Sequence, residues 1–229
     1  HIQWLDPSNP LATVNATTLI NTWITLAILC SLALLARILL ARNNSIGQYA
    51  VLYAGQFFIN LCQQAIGSFS ITHISYIASI FSFIALSNII SIIPYLEEPT
   101  TDLNTTLALG IVTFCYIQAT EIYMHGIMHY IKGYFSPFFL MMPLNIIGKL
   151  ATIISISFRL FGNIFGGSII TTFFIAAING SIILETLGLL PNVVMTVFFI
   201  LFEGCLQAFV FTMLSLTYLA MAVHGEGGH

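Results

Sequence analysis

The chain has 229 residues, 58% of them hydrophobic and 6% charged, and its mean hydropathy is +0.98. A soluble domain carries about 25% charged residues, so this composition excludes a water-soluble fold and points to an integral membrane protein with several spans in one domain. Five cations and eight anions are spread along the whole length for a net charge of −3, which leaves no basic patch for a nucleic acid.

In chain order, His1–Thr18 is polar, contains proline and lacks a basic n-region, so it reads as an outer polar N-terminus and not as a signal peptide. Residues 19–40 supply one crossing, since ~20 apolar residues span the hydrocarbon, and Arg37 and Arg42 close it. Residues 45–69 carry Gln48, Gln56, Asn60, Gln63 and Gln64 and read as an interfacial or re-entrant helix. Residues 71–94 form the second span, with Ser75, Ser79 and Ser82 on one face. An acidic turn holds Glu97, Glu98 and Asp102. Residues 105–124 form the third span, where Thr106, Thr113 and Thr120 recur every seven residues and so share a face. A loop with His125, His129 and Lys132 follows. The spacing of its two histidines suits a metal ion as well as a membrane-surface loop.

The last two elements are long. Residues 145–177 make a helix of about 50 Å and residues 192–223 one nearly as long, both well beyond a hydrocarbon core of ~30 Å. They are expected to lie steeply tilted as an antiparallel hairpin turned at Asn179–Pro191. The fold class is therefore all-α, multi-span and membrane-embedded. Arg37, Arg42 and Lys132 fall on one side and Asp6, Glu97 and Glu98 on the other, which puts the N-terminus outside and the C-terminus inside. Cys30, Cys62, Cys115 and Cys205 stand singly in apolar stretches and read as buried hydrophobes.

Arg159 is the residue this pattern does not absorb. A guanidinium keeps its charge in a protein, and holding it at membrane depth costs at least ~2.5–3.5 kcal/mol on insertion scales. Such residues mark ion or substrate paths. On a helical period Arg159 lies along a stripe of small and polar residues: Asn145, Gly148, Thr152, Ser155, Gly162, Asn163 and Gly166. Helix packing explains the glycines, and the arginine asks for an anion. Ser157 and Ser168 point almost oppositely and are expected to wet a second face. On the following helix Glu203 and Gln207 are one turn apart. Two readings stand: a static Arg159–Glu203 ion pair, or Gln207 beside Arg159 with Glu203 as a protonatable relay.

Two segments carry a resemblance. Ser157–Gly167 reads Ser-Phe-Arg-Leu-Phe-Gly-Asn-Ile-Phe-Gly-Gly, and Leu206–Leu219 reads Leu-Gln-Ala-Phe-Val-Phe-Thr-Met-Leu-Ser-Leu-Thr-Tyr-Leu. They resemble subunit a of the F-type ATP synthase, and Asp102–Leu109 looks like that family's third segment. The resemblance runs from about Ser70 to Ala222.

It implies a non-catalytic stator subunit that forms two offset half-channels against a rotating c-subunit ring. Its other partners would be peripheral-stalk b subunits, the remaining ATP synthase subunits and the lipid bilayer, and it would need no cofactor. Arg159 would match the essential arginine, Gln207 its glutamine partner and Asn163 the polar residue one turn beyond. Asp102 and Asn104 would map onto the polar line to the outside, with Ser168, Asn145 and Ser155 as further half-channel lining. The Gly-Asn after Arg-Leu-Phe looks bacterial, which implies a bacterial cell membrane, with the mitochondrial inner membrane as the alternative.

The chain departs from the family at three positions. Ser168 stands nine residues after the arginine and Ile200 seven before the glutamine, where relatives carry Glu or His. Lys149 stands ten before the arginine, where many bacterial relatives carry Glu. Glu203 is thereby left as the inlet acid, and the exit-channel carboxylate has only Asn145 as a stand-in. A stand-alone secondary transporter or channel is the alternative function, but the chain shows no internal repeat or paired broken helices.

Overall fold

The computed structural model describes residues 2–3, 13–14, 16–41, 46–67, 70–92, 98–135, 140, 142–178 and 182–224. Arg42, Glu97, Asp6 and His229 therefore lie outside the described residues. Two short strands, β1 (Ile2–Gln3) and β2 (Thr13–Val14), pair antiparallel near the N-terminus, and the rest of the described secondary structure is helical.

The helices are α1 (Ala16–Ala41), α2 (Ile46–Ile66), α3 (Ile71–Ile89), α4 (Leu103–His125), α5 (Ile127–Phe135), α6 (Met142–Ile178), α7 (Ile182–Val197) and α8 (Gly204–His224). Single 3-10 turns follow α3 at Ile90–Ile92 and precede α4 at Pro99–Thr101. Five stretches are long and apolar enough to cross a bilayer: Thr17–Ala41, Ile71–Ile89, Leu103–His125, Met142–Ile178 and Leu190–His224. The protein is thus a multi-span, all-α membrane protein. The glutamine-bearing α2 is not among the five. Much of the apolar surface is exposed, as lipid-facing helices require, and this includes Cys30, Cys115 and Cys205. Of the four cysteines only Cys62 is buried as expected.

The helix boundaries differ from the sequence reading in two places. The segment after His125 is a helix, α5, and not a loop. Gly126 separates it from α4 with φ 81°, a left-handed conformation that glycine adopts without a Cβ penalty. The chain is also helical again from Ile182, so the last ten residues of the turn expected at Asn179–Pro191 lie in a helix. Pro191 sits inside α7. A proline inside a membrane helix is tolerated because neighbouring groups re-satisfy the freed backbone. From α7 the chain runs through a π-helical segment, Phe198–Glu203, into α8, with the Gly204 N–H donating to Phe199 O five residues back.

Two apolar clusters hold the bundle together. Cys62 and Ile66 of α2 meet Ile77, Ile117, Leu216 and Leu219 in one. Ile80 and Ile84 of α3 meet Ile156, Leu160, Ala208 and Phe211 in the other. The threonine face of α4 is turned inward, with Thr106, Thr113 and Thr120 all buried.

Polar ties fix which helix ends lie together. The His125 ring Nε2 lies 3.1 and 3.2 Å from the Ala222 and Val223 carbonyls, so it satisfies the orphan acceptors at the end of α8. Lys149, near the start of α6, reaches Glu121, near the end of α4, at 3.3 Å. At the opposite end, Asn88 of α3 donates to the Gly204 carbonyl at 2.8 Å and accepts from Thr100 Oγ1 at 3.2 Å. These two ends are named inner and outer after the topology expected from the basic residues.

Candidate functional site

Arg159 is exposed on α6, and among the described residues no hydrogen bond or ion pair holds it. The expected alternative of a static Arg159–Glu203 pair is therefore not realised. The single ion pair among the described residues joins Lys149 to Glu121. Gln207 behaves oppositely. It is 4% exposed, turned into the bundle beside fully buried Ala208.

The stripe running through Arg159 is open at its glycines. A Cβ added to Gly148, Gly162 or Gly166 would meet nothing within 4 Å, so among the described residues nothing packs directly on these three glycines. A second face of α6, through Ile156, Ser157, Leu160 and Gly167, is covered. A Cβ on Gly167 would stand 3.0 Å from Phe199, and Ser157 is fully buried with its Oγ against Gly110 of α4. Ser157 therefore does not wet a second face as expected. Close approach of α4 and α6 closes it off.

Two cavities border α6 on either side of Arg159. The inner one, of about 290 Å³, is lined by Asn145, Gly148, Lys149 and Thr152 of α6, by Gln118 and Glu121 of α4, and by Tyr130 and Tyr134 of α5. Lys149 Nζ sits 5.0 and 4.6 Å from the Tyr130 and Tyr134 ring centroids, over aromatic faces that attract a cation. The Tyr130 hydroxyl donates to Gln118 Oε1 at 2.7 Å, and Asn145 Nδ2 donates to the Tyr134 carbonyl at 3.0 Å. Glu121 is thus the acid of this cavity, brought to Lys149 by a neighbouring helix.

The outer cavity, of about 530 Å³, is lined by Asn163, Ser168 and Thr171 of α6, by Thr196 and Glu203 of the last helical run, and by Ser91, Glu98 and Thr101 of the α3–α4 connection. The π segment ends at Glu203, and a wider helical turn of this kind recurs at functional sites. Ser155 and Arg159 belong to neither cavity lining. On α6 the order is therefore inner cavity, open arginine, outer cavity.

Asp102 and Asn104, expected on the outer polar line, are not among the residues lining the outer cavity. The Asp102 carboxylate accepts from the Asn104 backbone N–H at 3.0 Å and caps α4, a role that satisfies an orphan donor of the first turn. Asn104 itself is exposed. The connection contributes Glu98 and Thr101 in their place. The sequence reading also passed over Glu121, although it is the lone acid of an apolar helix and so carries the same signal that marks Arg159.

Residues 19–220 match the family described as ATP synthase A chain. The chain is 34% identical over 209 residues to ATP synthase subunit a of Moorella thermoacetica, covering 91% of each protein. It is 30% identical over 226 residues to ATP synthase subunit a of Desulforamulus reducens, covering 94% of this chain and 82% of that one. A third relative, from Propionigenium modestum, is described as ATP synthase subunit a, sodium ion specific. It is 33% identical over 178 residues, which cover 71% of this chain and 58% of that protein.

Proposed function

The chain belongs to the ATP synthase A chain family, and from that premise we propose that it is the stator subunit carrying protons through two offset half-channels past a rotating c-subunit ring. The observation that carries the reading is the order along α6, where an inner polar cavity and an outer polar cavity are separated by an exposed Arg159 that has no partner among the described residues.

The bare face through Gly148, Gly162 and Gly166 supports a partner outside this chain, because small residues let a second helix approach closely. A c-subunit helix bearing a carboxylate fits that face. The hairpin expected of the last helices has support in Ile178 packing at Gly188 and Phe199 at Gly167. Those contacts fit two antiparallel runs following the curve of a ring.

The steps follow from charge. A carboxylate facing lipid must be neutral. Beside a guanidinium within about 4–6 Å its ionised form is favoured, so it releases its proton toward the inner cavity. Glu121, held by Lys149, receives that proton's path on the inner side. The ionised carboxylate then moves on and is reprotonated from the outer cavity, where Glu203 and Asn163 lie. Arg159 repels a proton and so blocks direct leakage between the two cavities. A potential of 100 mV supplies ~2.3 kcal/mol per proton. Gln207, buried one turn from Glu203, is proposed to hold the last helix in register against the arginine segment.

No phosphate-binding loop is needed, since nucleotide chemistry belongs to other subunits of the complex. The c-ring, peripheral-stalk b subunits and the other ATP synthase subunits are the proposed partners. A bacterial cell membrane is the proposed home, with the mitochondrial inner membrane the alternative. The stand-alone transporter leaves the bare glycine face without a purpose.

Purification of the native protein in mild detergent, combined with Arg159→Ala, tests the reading. A ring of small hairpin subunits is expected to copurify. The variant is expected to assemble normally and lose ATP-driven proton pumping in inverted vesicles. Isolation without a ring, or pumping by the variant at the wild-type rate, overturns it.

A further inference from the structure

The outer cavity holds a second acid that the functional reading does not use. Glu98 lies outside the spans, on the connection between α3 and α4, and is half-buried at the cavity wall. Its Oε1 lies 2.7 Å from Ser91 Oγ, and the same Oγ lies 2.8 Å from the Asn88 carbonyl. A hydroxyl has one proton to donate. Both acceptors are served at once only when Glu98 carries its own proton and donates it to Ser91 Oγ. When Glu98 is ionised, Ser91 turns to it. The cradle therefore accommodates both protonation states by rotating one hydroxyl.

The cradle is also joined to the backbone beside the other acid, Glu203. Asn88, one turn before Ser91, donates to the Gly204 carbonyl, and Gly204 directly follows Glu203. Among the described lining residues from α3, the α3–α4 connection, α6 and the last helical run, Glu98 and Glu203 are the only titratable groups, and no cation faces them. Ser91, Thr101, Asn163 and Ser168 supply neutral polar walls, and a polar space of about 530 Å³ has room for bridging waters.

We propose that Glu98 is the entry carboxylate of the outer half-channel, taking protons from the outer solution and passing them through cavity water to Glu203. The proposal rests on the half-channel reading above. In the first step the Glu98 carboxylate takes a proton from hydronium, leaving water. In the second that proton crosses to the Glu203 carboxylate, and Glu98 returns to its anion. No electron moves and no other reactant is required. Burial pushes the Glu98 carboxyl up to about 7, with the Ser91 hydrogen bond pulling the other way, so both forms are populated near neutral pH.

The test uses the assembled complex in vesicles, with proton-driven ATP synthesis measured against the pH of the compartment facing the outer cavity. Glu98→Gln is expected to lower the rate by at least about tenfold, with assembly and ATP hydrolysis retained, and Glu98→Asp to recover part of it. Ser91→Ala keeps the carboxyl and removes the donor that favours its anion. Its pH profile is expected to move to higher pH, a shift that a merely structural role does not produce. A wild-type rate and profile in Glu98→Gln overturns the proposal, as does an unshifted profile in Ser91→Ala if Glu98→Gln fails to assemble. Arg159→Ala separates the levels. If that variant still pumps, the half-channel reading has failed, whereas loss in Arg159→Ala with no effect at Glu98 removes only the entry role.

Discussion

Lys149 Nζ and Glu121 Oε2 stand 3.3 Å apart across the α4–α6 contact, both partly buried at the wall of the inner cavity. The lysine comes from α6 and the acid from the neighbouring helix α4. The inner cavity thus keeps a carboxylate although α6 contributes a cation.

Breaking this pair leaves one charge without its partner. Glu121→Gln or Lys149→Gln is expected to cost about 1–3 kcal/mol of stability, toward the lower end because water still reaches both groups. The exchange of Glu121→Lys with Lys149→Glu is expected to recover much of that loss and part of the pumping. Thermal unfolding of the wild type, Glu121→Gln, Lys149→Gln and the double variant that combines those two substitutions forms a double-mutant cycle. Strictly additive effects would show that the two charges act independently.

Arg159→Lys is expected to fail nearly as badly as Arg159→Ala. Lysine is a hydrated point charge that loses its proton when desolvated, whereas guanidinium stays planar and charged. The residue is exposed and has no hydrogen-bond or ion-pair partner among the described residues, so none of them compensates the exchange. ATP-driven acidification of inverted vesicles is the measurement. Pumping at the wild-type rate would establish that charge alone suffices.

Glu203→Gln keeps size and hydrogen bonding but removes titration. Proton flux is expected to fall by at least about 10²-fold, the usual scale for loss of a positioned proton-transfer group. Assembly is expected to be unchanged, because Glu203 makes no ion pair with Arg159 that the substitution would break. Quantifying both flux and assembled complex checks the two halves separately, and full flux ends the relay role.

Two glycines on neighbouring α-helices should respond in opposite ways. Gly166→Leu enters open space within this chain and is expected to leave the subunit stable. It stands in the way of the ring, so pumping is expected to drop by about tenfold or more, since displacements of an ångström already cost about 10²-fold at a reacting centre. Gly110→Ala drives a Cβ into Ser157 Oγ and is expected to destabilise the subunit by about 1–3 kcal/mol, with Ser157→Ala restoring it. Subunit yield and pumping distinguish the two. A destabilised Gly166→Leu would indicate that the face is covered from within.

Composition and local pattern alone determined the membrane class, the long apolar runs and the prominence of Arg159. These are legible because burying charge in hydrocarbon is costly enough to leave its mark on single residues. The threonine face of α4 was legible for a related reason, since a seven-residue repeat returns to the same side of a helix. Sequence pattern, by contrast, misled at Asp102, which the resemblance set on the outer polar line and which caps its own helix, and at Ser157, which the helical period set on a wet face and which a glycine on another helix encloses. It also gave no reason to join Glu121 to Lys149, 28 positions away, or Glu98 to the cavity of Glu203. Which acid reaches which cavity is set by helix crossings and by the π segment before Gly204. Those are properties of packing between distant segments, and only the tertiary structure decided them.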